Sequence, residues 1–203
     1  MKEGKIRFNT IFVSEKIPDD PKIFELKEWS ERFQKNGLTP EVSGNYTGNL
    51  SFRSRVGFVI TASGLKDKEN LGDDCFVHVK GYDEISNTFS VEGQKKPSSE
   101  SLMHFLLYNG DHDINAVFHG HNSLIVAAAK DLKLVITEKE FESGTIALAK
   151  EVQKISVNNR LIVIRNHGFV TVGNTMKEAG ELAIETLKKA KCKRTHEFSG
   201  FSC

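Results

Sequence analysis

Apolar and polar positions switch repeatedly between a two-residue and a helical period, so the chain predicts many short strands and helices. Lys5 to Val13 alternates in part and predicts an edge strand. Asp20-Pro21 opens a helix, with Asp20 as N-cap and Pro21 in the first turn. Ile23, Leu26 and Phe33 recur on one face of it, Trp29 lies close to that stripe, and Gly37 stops it. Ser43 to Arg53 begins as turn chemistry and ends as a strand. Gly57 to Ala62 predicts a further strand that runs into Ser63-Gly64. Cys75 to Lys80 and Thr88 to Val91 predict two more, around a turn at Tyr82-Asp83-Glu84.

In the second half, Lys96-Pro97-Ser98-Ser99-Glu100 precedes Leu102, Phe105 and Leu106 at helical spacing. That is a helix start with a serine cap and Glu100 in the first turn. His104 and His112 read as surface or helix histidines. Ile114 to Phe118 predicts a strand, Leu124 to Ala129 a small-residue helix, and Leu134 to Thr137 a strand. Gly144 to Ile155 predicts a helix with Ile146, Leu148, Ala149 and Val152 inward. Leu161 to Ile164 is apolar throughout, hence a strand buried on both faces, and Phe169 to Val172 continues as another. Thr175-Met176-Lys177-Glu178 is a capping box for a helix to about Ala190, and Lys191 to Cys203 reads as a tail.

Composition narrows the class. The chain has 203 residues, 38% hydrophobic and 27% charged, which is enough for one sizeable core. Residues 1–20 read as an N-terminal extension, 21–191 as a single domain and 192–203 as a C-terminal tail. A net charge of +1 without a basic patch argues against nucleic acid as a partner. No apolar run approaches the ~20 residues that span a bilayer, so no membrane partner is expected. The start, Met1-Lys2-Glu3-Gly4-Lys5, lacks an apolar signal core, and a cytoplasmic location is expected. The three cysteines are far apart, with no Cys-x-x-Cys, which disfavours a cysteine metal site and a disulfide framework.

The chemistry gathers at strand ends. His119-Gly120-His121 closes the Ile114–Phe118 strand, and residues i and i+2 of a strand share a face. Two imidazoles in one small volume suit Zn²⁺, which takes nitrogen ligands at about 2.0–2.1 Å. Arg165-Asn166-His167-Gly168 places a third histidine at another strand end. With Glu100 they make a His₃ site with a fourth, carboxylate position. Gly48-Asn49 and Ser63-Gly64 are small, donor-rich turns that let backbone N–H groups approach an anion, and Ser98-Ser99 adds hydroxyls. A metal beside a phosphate pocket points to a phosphorylated hydroxy-carbonyl substrate, and to retro-aldol cleavage or proton transfer next to a carbonyl.

These motifs, taken in order, resemble the class II aldolase/adducin family. Gly48-Asn49-Leu50-Ser51-x-Arg53, Thr61-Ala62-Ser63-Gly64, Pro97-Ser98-Ser99-Glu100, His119-Gly120-His121 and Asn166-His167-Gly168 carry the resemblance, which runs from about Leu26 to Ala190. The resemblance implies an α/β chain of the α+β type, with a central, mostly antiparallel sheet between helical layers. It implies Zn²⁺, or another divalent metal, on His119, His121 and His167, with Glu100 as resting ligand and catalytic acid/base. It places a substrate phosphate against Asn49, Ser63, Gly64, Ser98 and Ser99, and implies a homotetramer with sites at subunit interfaces. The expected activity is cleavage of a ketose 1-phosphate to dihydroxyacetone phosphate and an aldehyde through a metal-stabilised enediolate. The family's dehydratases, 4-epimerases and decarboxylases and its non-catalytic adducin-like modules are the alternatives. Two departures stand out against the family's fuculose-phosphate aldolase. Tyr46 stands where that enzyme has a small residue, and no tyrosine follows Tyr108 to donate a proton to the aldehyde half.

Overall fold

A computed structural model of the chain describes residues 5–199. Its apolar stretches pair into one nine-stranded sheet. The strands are β1 (Asn9–Ser14), β4 (Asn49–Arg53), β5 (Phe58–Thr61), β6 (Phe76–Asp83), β7 (Thr88–Glu92), β8 (Ala116–Gly120), β9 (Val135–Ile136), β10 (Leu161–Ile164) and β11 (Gly168–Gly173). Their spatial order is β1-β7-β6-β5-β4-β8-β11-β10-β9. Every interior pairing is antiparallel; only the edge strands β1, on β7, and β9, on β10, pair in parallel. A small hairpin, β2 (Glu41–Val42) and β3 (Asn45–Tyr46), stands apart from it.

Helices cover both faces, as expected. The helices α1 (Lys22–Lys35), α3 (Ser123–Ala127) and α5 (Met176–Ser199) pack together, α1 against β4 and α5 against β8 and β11. The helices α2 (Ser101–Gly110) and α4 (Ile146–Ser156) pack against each other, α4 on β10. The pleat sorts the central strands between these layers. Phe118 meets the Trp29 and Phe33 rings of α1, at centroid distances of 5.9 and 5.3 Å. Its neighbours Val117 and His119 point the other way, toward α2. Buried Leu50, Phe52, Phe118, Phe169, Ile162 and Val163 make the sheet's middle dry.

Several elements depart in detail from the sequence reading. Ser43 and Gly44 both take positive φ, which makes the unexpected β2–β3 hairpin possible. β6 runs through Asp83 before its turn. Ile146 is exposed at the first position of α4 and Leu148 is buried, so the inward stripe starts at Leu148 rather than at Ile146. Glu100, not a serine, is the N-cap of α2; Ser98 instead offers its carbonyl to the Ser101 N–H. Asp20 lies one residue outside the α1 N-cap, and its carboxylate still accepts from the Lys22 N–H at 3.0 Å. The helix α5 continues past Ala190 to Ser199. Residues 200–203 of the expected tail, and 1–4 of the expected extension, lie outside the described residues.

Candidate metal centre

Four segments distant in sequence meet at one end of β4, β8 and β11. In the sheet, His119 pairs with Asn49 on β4 and with Val170 on β11. His121 follows β8, and its N–H donates to the Leu38 carbonyl at 2.7 Å. His167 ends the tight β10–β11 turn, in which Asn166 takes φ 55° and its amide reaches Glu140 at 2.9 Å. Glu100 enters from the start of α2. The chain is compressed here: a side chain on Gly48, which has φ +73°, would put its Cβ 2.6 Å from the His119 carbonyl oxygen.

The donor atoms converge. One ligand atom each from Glu100, His119, His121 and His167 lies within 4.8 Å of all the others. The Nε2 atoms of His119 and His121 are 2.9 Å apart. His119 Nε2 is 2.8 Å from Glu100 Oε2, and His167 Nε2 is 3.5 Å from Oε1. His119 Nδ1 is 2.8 Å from the Phe169 carbonyl, which can only accept, so Nδ1 carries the hydrogen and Nε2 of the neutral ring would offer its lone pair to a cation. Burial pushes both His121 and His167 below the ordinary imidazole range. Burial alone would raise Glu100, but charge from the imidazoles and the His119 hydrogen bond hold it well below the usual carboxylate range. Metal ligation needs neutral imidazoles beside a carboxylate, and a bound cation would replace the positive charge that the rings otherwise set against Glu100. Glu100 Oε1 is buried with no hydrogen-bond partner, an acceptor that a cation would satisfy. The residues present therefore fit a divalent metal.

The anion-binding candidates open onto the same cavity. Asn49, Ser63, Gly64, Ser98 and Ser99 line it together with Glu100, His121 and His167. The Ala62–Pro97 bridge and the Ser63 N–H to Lys96 carbonyl bond, 3.0 Å, bring the turn after β5 beside the serines that precede α2. Tyr46 and Ser143 also line the cavity; Ser143 carried no signal in the sequence.

Two further buried residues escaped the sequence reading. Lys68 is 1% exposed, and its ammonium donates to the carbonyls of Thr47 at 2.9 Å and Gly48 at 2.6 Å, the turn that walls the cavity. Burial brings it down to about 7, against an opposing pull from Glu100. His104 lies in α2, the helix placement among the two expected for it, but is fully buried, and burial brings it down to about 3.

Comparison with known proteins agrees with this geometry. The family model described as Class II Aldolase and Adducin N-terminal domain matches residues 25–193. An L-fuculose phosphate aldolase of Methanococcus maripaludis is 32% identical over 150 residues, covering 65% of this chain and 76% of that protein. A 5-deoxy-D-ribulose 1-phosphate aldolase of Bacillus thuringiensis serovar kurstaki is 28% identical over 177 residues, covering 79% of this chain and 78% of its own. A solved structure of an L-fuculose 1-phosphate aldolase, 23% identical, shares the fold with a TM-score of 0.73 over 92% of this chain and 91% of that one. The family match runs from within the first helix to within the last and spans every residue of the candidate metal centre: the chain belongs to the class II aldolase and adducin family.

Proposed function

We propose that the chain is a zinc-dependent lyase that cleaves a ketose 1-phosphate to dihydroxyacetone phosphate and an aldehyde. The observation that carries the reading is the convergence of three imidazoles and a buried carboxylate in a cavity also lined by small, donor-rich turns. His119, His121 and His167 would hold the metal with Glu100 as the fourth ligand. Bound there, the ion supplies Lewis-acid polarisation of the substrate's carbonyl and hydroxyl oxygens. Gly64, Ser63, Ser98 and Ser99 would hold the phosphate. Asn49 has one amide hydrogen left for it, since the other faces Glu100 and its oxygen faces His104.

Glu100 carries the proton. When the C3–C4 bond breaks, C4 becomes the aldehyde as its hydroxyl loses a proton, and C3 of the departing half needs one. Glu100, a carboxylate at rest, would take the C4 hydroxyl proton and deliver it to C3 through Oε1, its partnerless oxygen. In the tetramer expected of the molecule, a neighbouring subunit would complete the cavity wall.

A second reading is dehydration of a substrate of the same class. It is favoured by the tyrosines: Tyr108 is buried on Ser51, Tyr82 bonds Asn87, and only Tyr46 of the three lines the cavity. The test starts with metal content of protein purified without chelator, wild type beside His119→Ala. About one zinc per chain, lost in the variant, supports the centre; no uptake by wild type after zinc addition rejects it. NMR analysis of products from L-fuculose 1-phosphate and 5-deoxyribulose 1-phosphate then separates cleavage from dehydration.

A further inference from the structure

Behind Glu100 a line of hydrogen bonds runs into the core between β4 and α2. Glu100 Oε2 is 3.1 Å from Asn49 Nδ2, and Asn49 Oδ1 is 2.6 Å from His104 Nε2. His104 Nδ1 is 2.6 Å from Ser51 Oγ, which is 2.7 Å from the Tyr108 hydroxyl. All five side chains are buried.

The chemistry of the end groups fixes the direction of every bond. An ionised carboxylate only accepts, so the amide nitrogen of Asn49 must face Glu100 and its oxygen must face His104. A carbonyl oxygen only accepts, so His104 Nε2 carries the hydrogen. The neutral ring then has a bare Nδ1, which takes the Ser51 hydroxyl hydrogen. Ser51 has spent its one hydrogen, so it accepts from Tyr108. Each donor points toward Glu100.

We infer that His104 is a positioning residue, which holds the Asn49 amide in the orientation that fastens Glu100 by Oε2 and leaves Oε1 free for the metal and the substrate. The inference rests on the metal-lyase reading above. With the ring's donor gone, Asn49 Oδ1 is left buried without its partner, and an amide that moved to regain one would loosen its hold on the carboxylate. Outer-shell partners of this kind typically alter metal affinity by 10–100-fold.

The test has two arms on the full chain. In protein carrying ¹⁵N-histidine, His104 should show the neutral tautomer with hydrogen on Nε2. Hydrogen on Nδ1, or on both nitrogens, overturns the inference whether or not metal binds. The second arm titrates zinc into wild type, His104→Gln and His104→Phe. Glutamine can restore a donor to Asn49 and phenylalanine cannot. His104→Phe should bind zinc about 10-fold more weakly, and His104→Gln should lie close to wild type. The visible spectrum of cobalt-loaded His104→Phe should also shift as the carboxylate leaves the coordination sphere. Equal zinc affinity in all three, or equal weakening in both variants, overturns the positioning role alone. No zinc uptake by wild type overturns the site reading and this inference with it.

Discussion

A buried lysine without a carboxylate in contact is costly, because burial disfavours its charged form. Lys68 is such a residue, held by carbonyl oxygens and brought down to about 7. The sign of its effect on stability follows. The folded chain releases this proton near pH 7 and the unfolded chain only near pH 10.5, so between those values the unfolded state binds more protons. The penalty is therefore fully present below pH 7 and fades as pH rises. Denaturant melts of wild type and Lys68→Met should show wild type gaining stability relative to the variant from pH 7 to 10. A pH-independent difference would mean that the folded chain holds this proton as tightly as the unfolded one, so that burial has not neutralised the amine. Glu100 makes the second prediction at this scale. Glu100→Gln keeps the shape and loses the proposed proton carrier, so turnover should fall by roughly 10²–10⁴ in the product assay. Retained turnover would move the acid/base role elsewhere.

These residues differ in how far the sequence could show them. His119, His121 and His167 were legible because each sits at a strand end, where the apolar run stops and a histidine must point somewhere. Lys68 lies in Lys66-Asp67-Lys68-Glu69, a run that reads as solvated surface; only folding over the Thr47–Gly48 turn buries it. His104 lies one helical turn after Glu100, and nothing local says which face of α2 looks into the sheet.

Among elements, the junction of β4 with α2 turns one motif residue into a brace. Arg53 donates through Nη2 to the carbonyls of Tyr108 at 2.7 Å and Asp111 at 2.9 Å, and through Nε to that of Ile114 at 2.9 Å. It ties off the carboxyl end of α2 and the loop beyond, so this arginine of the Gly48–Arg53 motif is structural. A second junction joins α1 to α5. A Cβ on Gly180 would drive into the Trp29 ring, whereas one on Gly81 would meet nothing. Gly180→Ala should destabilise by about 1–3 kcal/mol through overpacking, with Gly81→Ala near neutral; equal effects in thermal melts would show that the α1–α5 contact yields freely. Element order was readable because turn residues punctuate the chain between apolar runs. Ends were less so: α5 carries basic residues past Ala190, and helix propensity there continues what the apolar stripe has stopped supporting.

For the whole molecule, a metal held at the proposed centre would be linked to stability. At free zinc about 100-fold above its dissociation constant, binding adds about 2.7 kcal/mol, which for a chain of this size is a melting shift of roughly 5–11 °C. Chelator should remove that shift from zinc-loaded wild type and leave His119→Ala unmoved. A melt indifferent to stripping would uncouple the cluster from folding. No helix among the described residues is long and apolar enough to cross a membrane. Exposed Ile11, Val13, Phe24, Ile85 and Val157 leave apolar surface that fits the expected tetramer. Light scattering should give four chains per particle; a monomer at assay concentration would require each cavity to work alone.

The placement of the ligands at the sheet's centre has a kinetic consequence. Glu100, His119, His121 and His167, with Asn49 between two of them, come together only after β4, β8 and β11 have found one another across long stretches of chain. Loop closure of that kind comes late and slowly. Zinc bound at the proposed centre would therefore meet a finished scaffold rather than nucleate one. In refolding experiments it should leave the folding limb of the chevron nearly unchanged and slow the unfolding limb, so that metal lengthens the life of the native state more than it hastens its arrival.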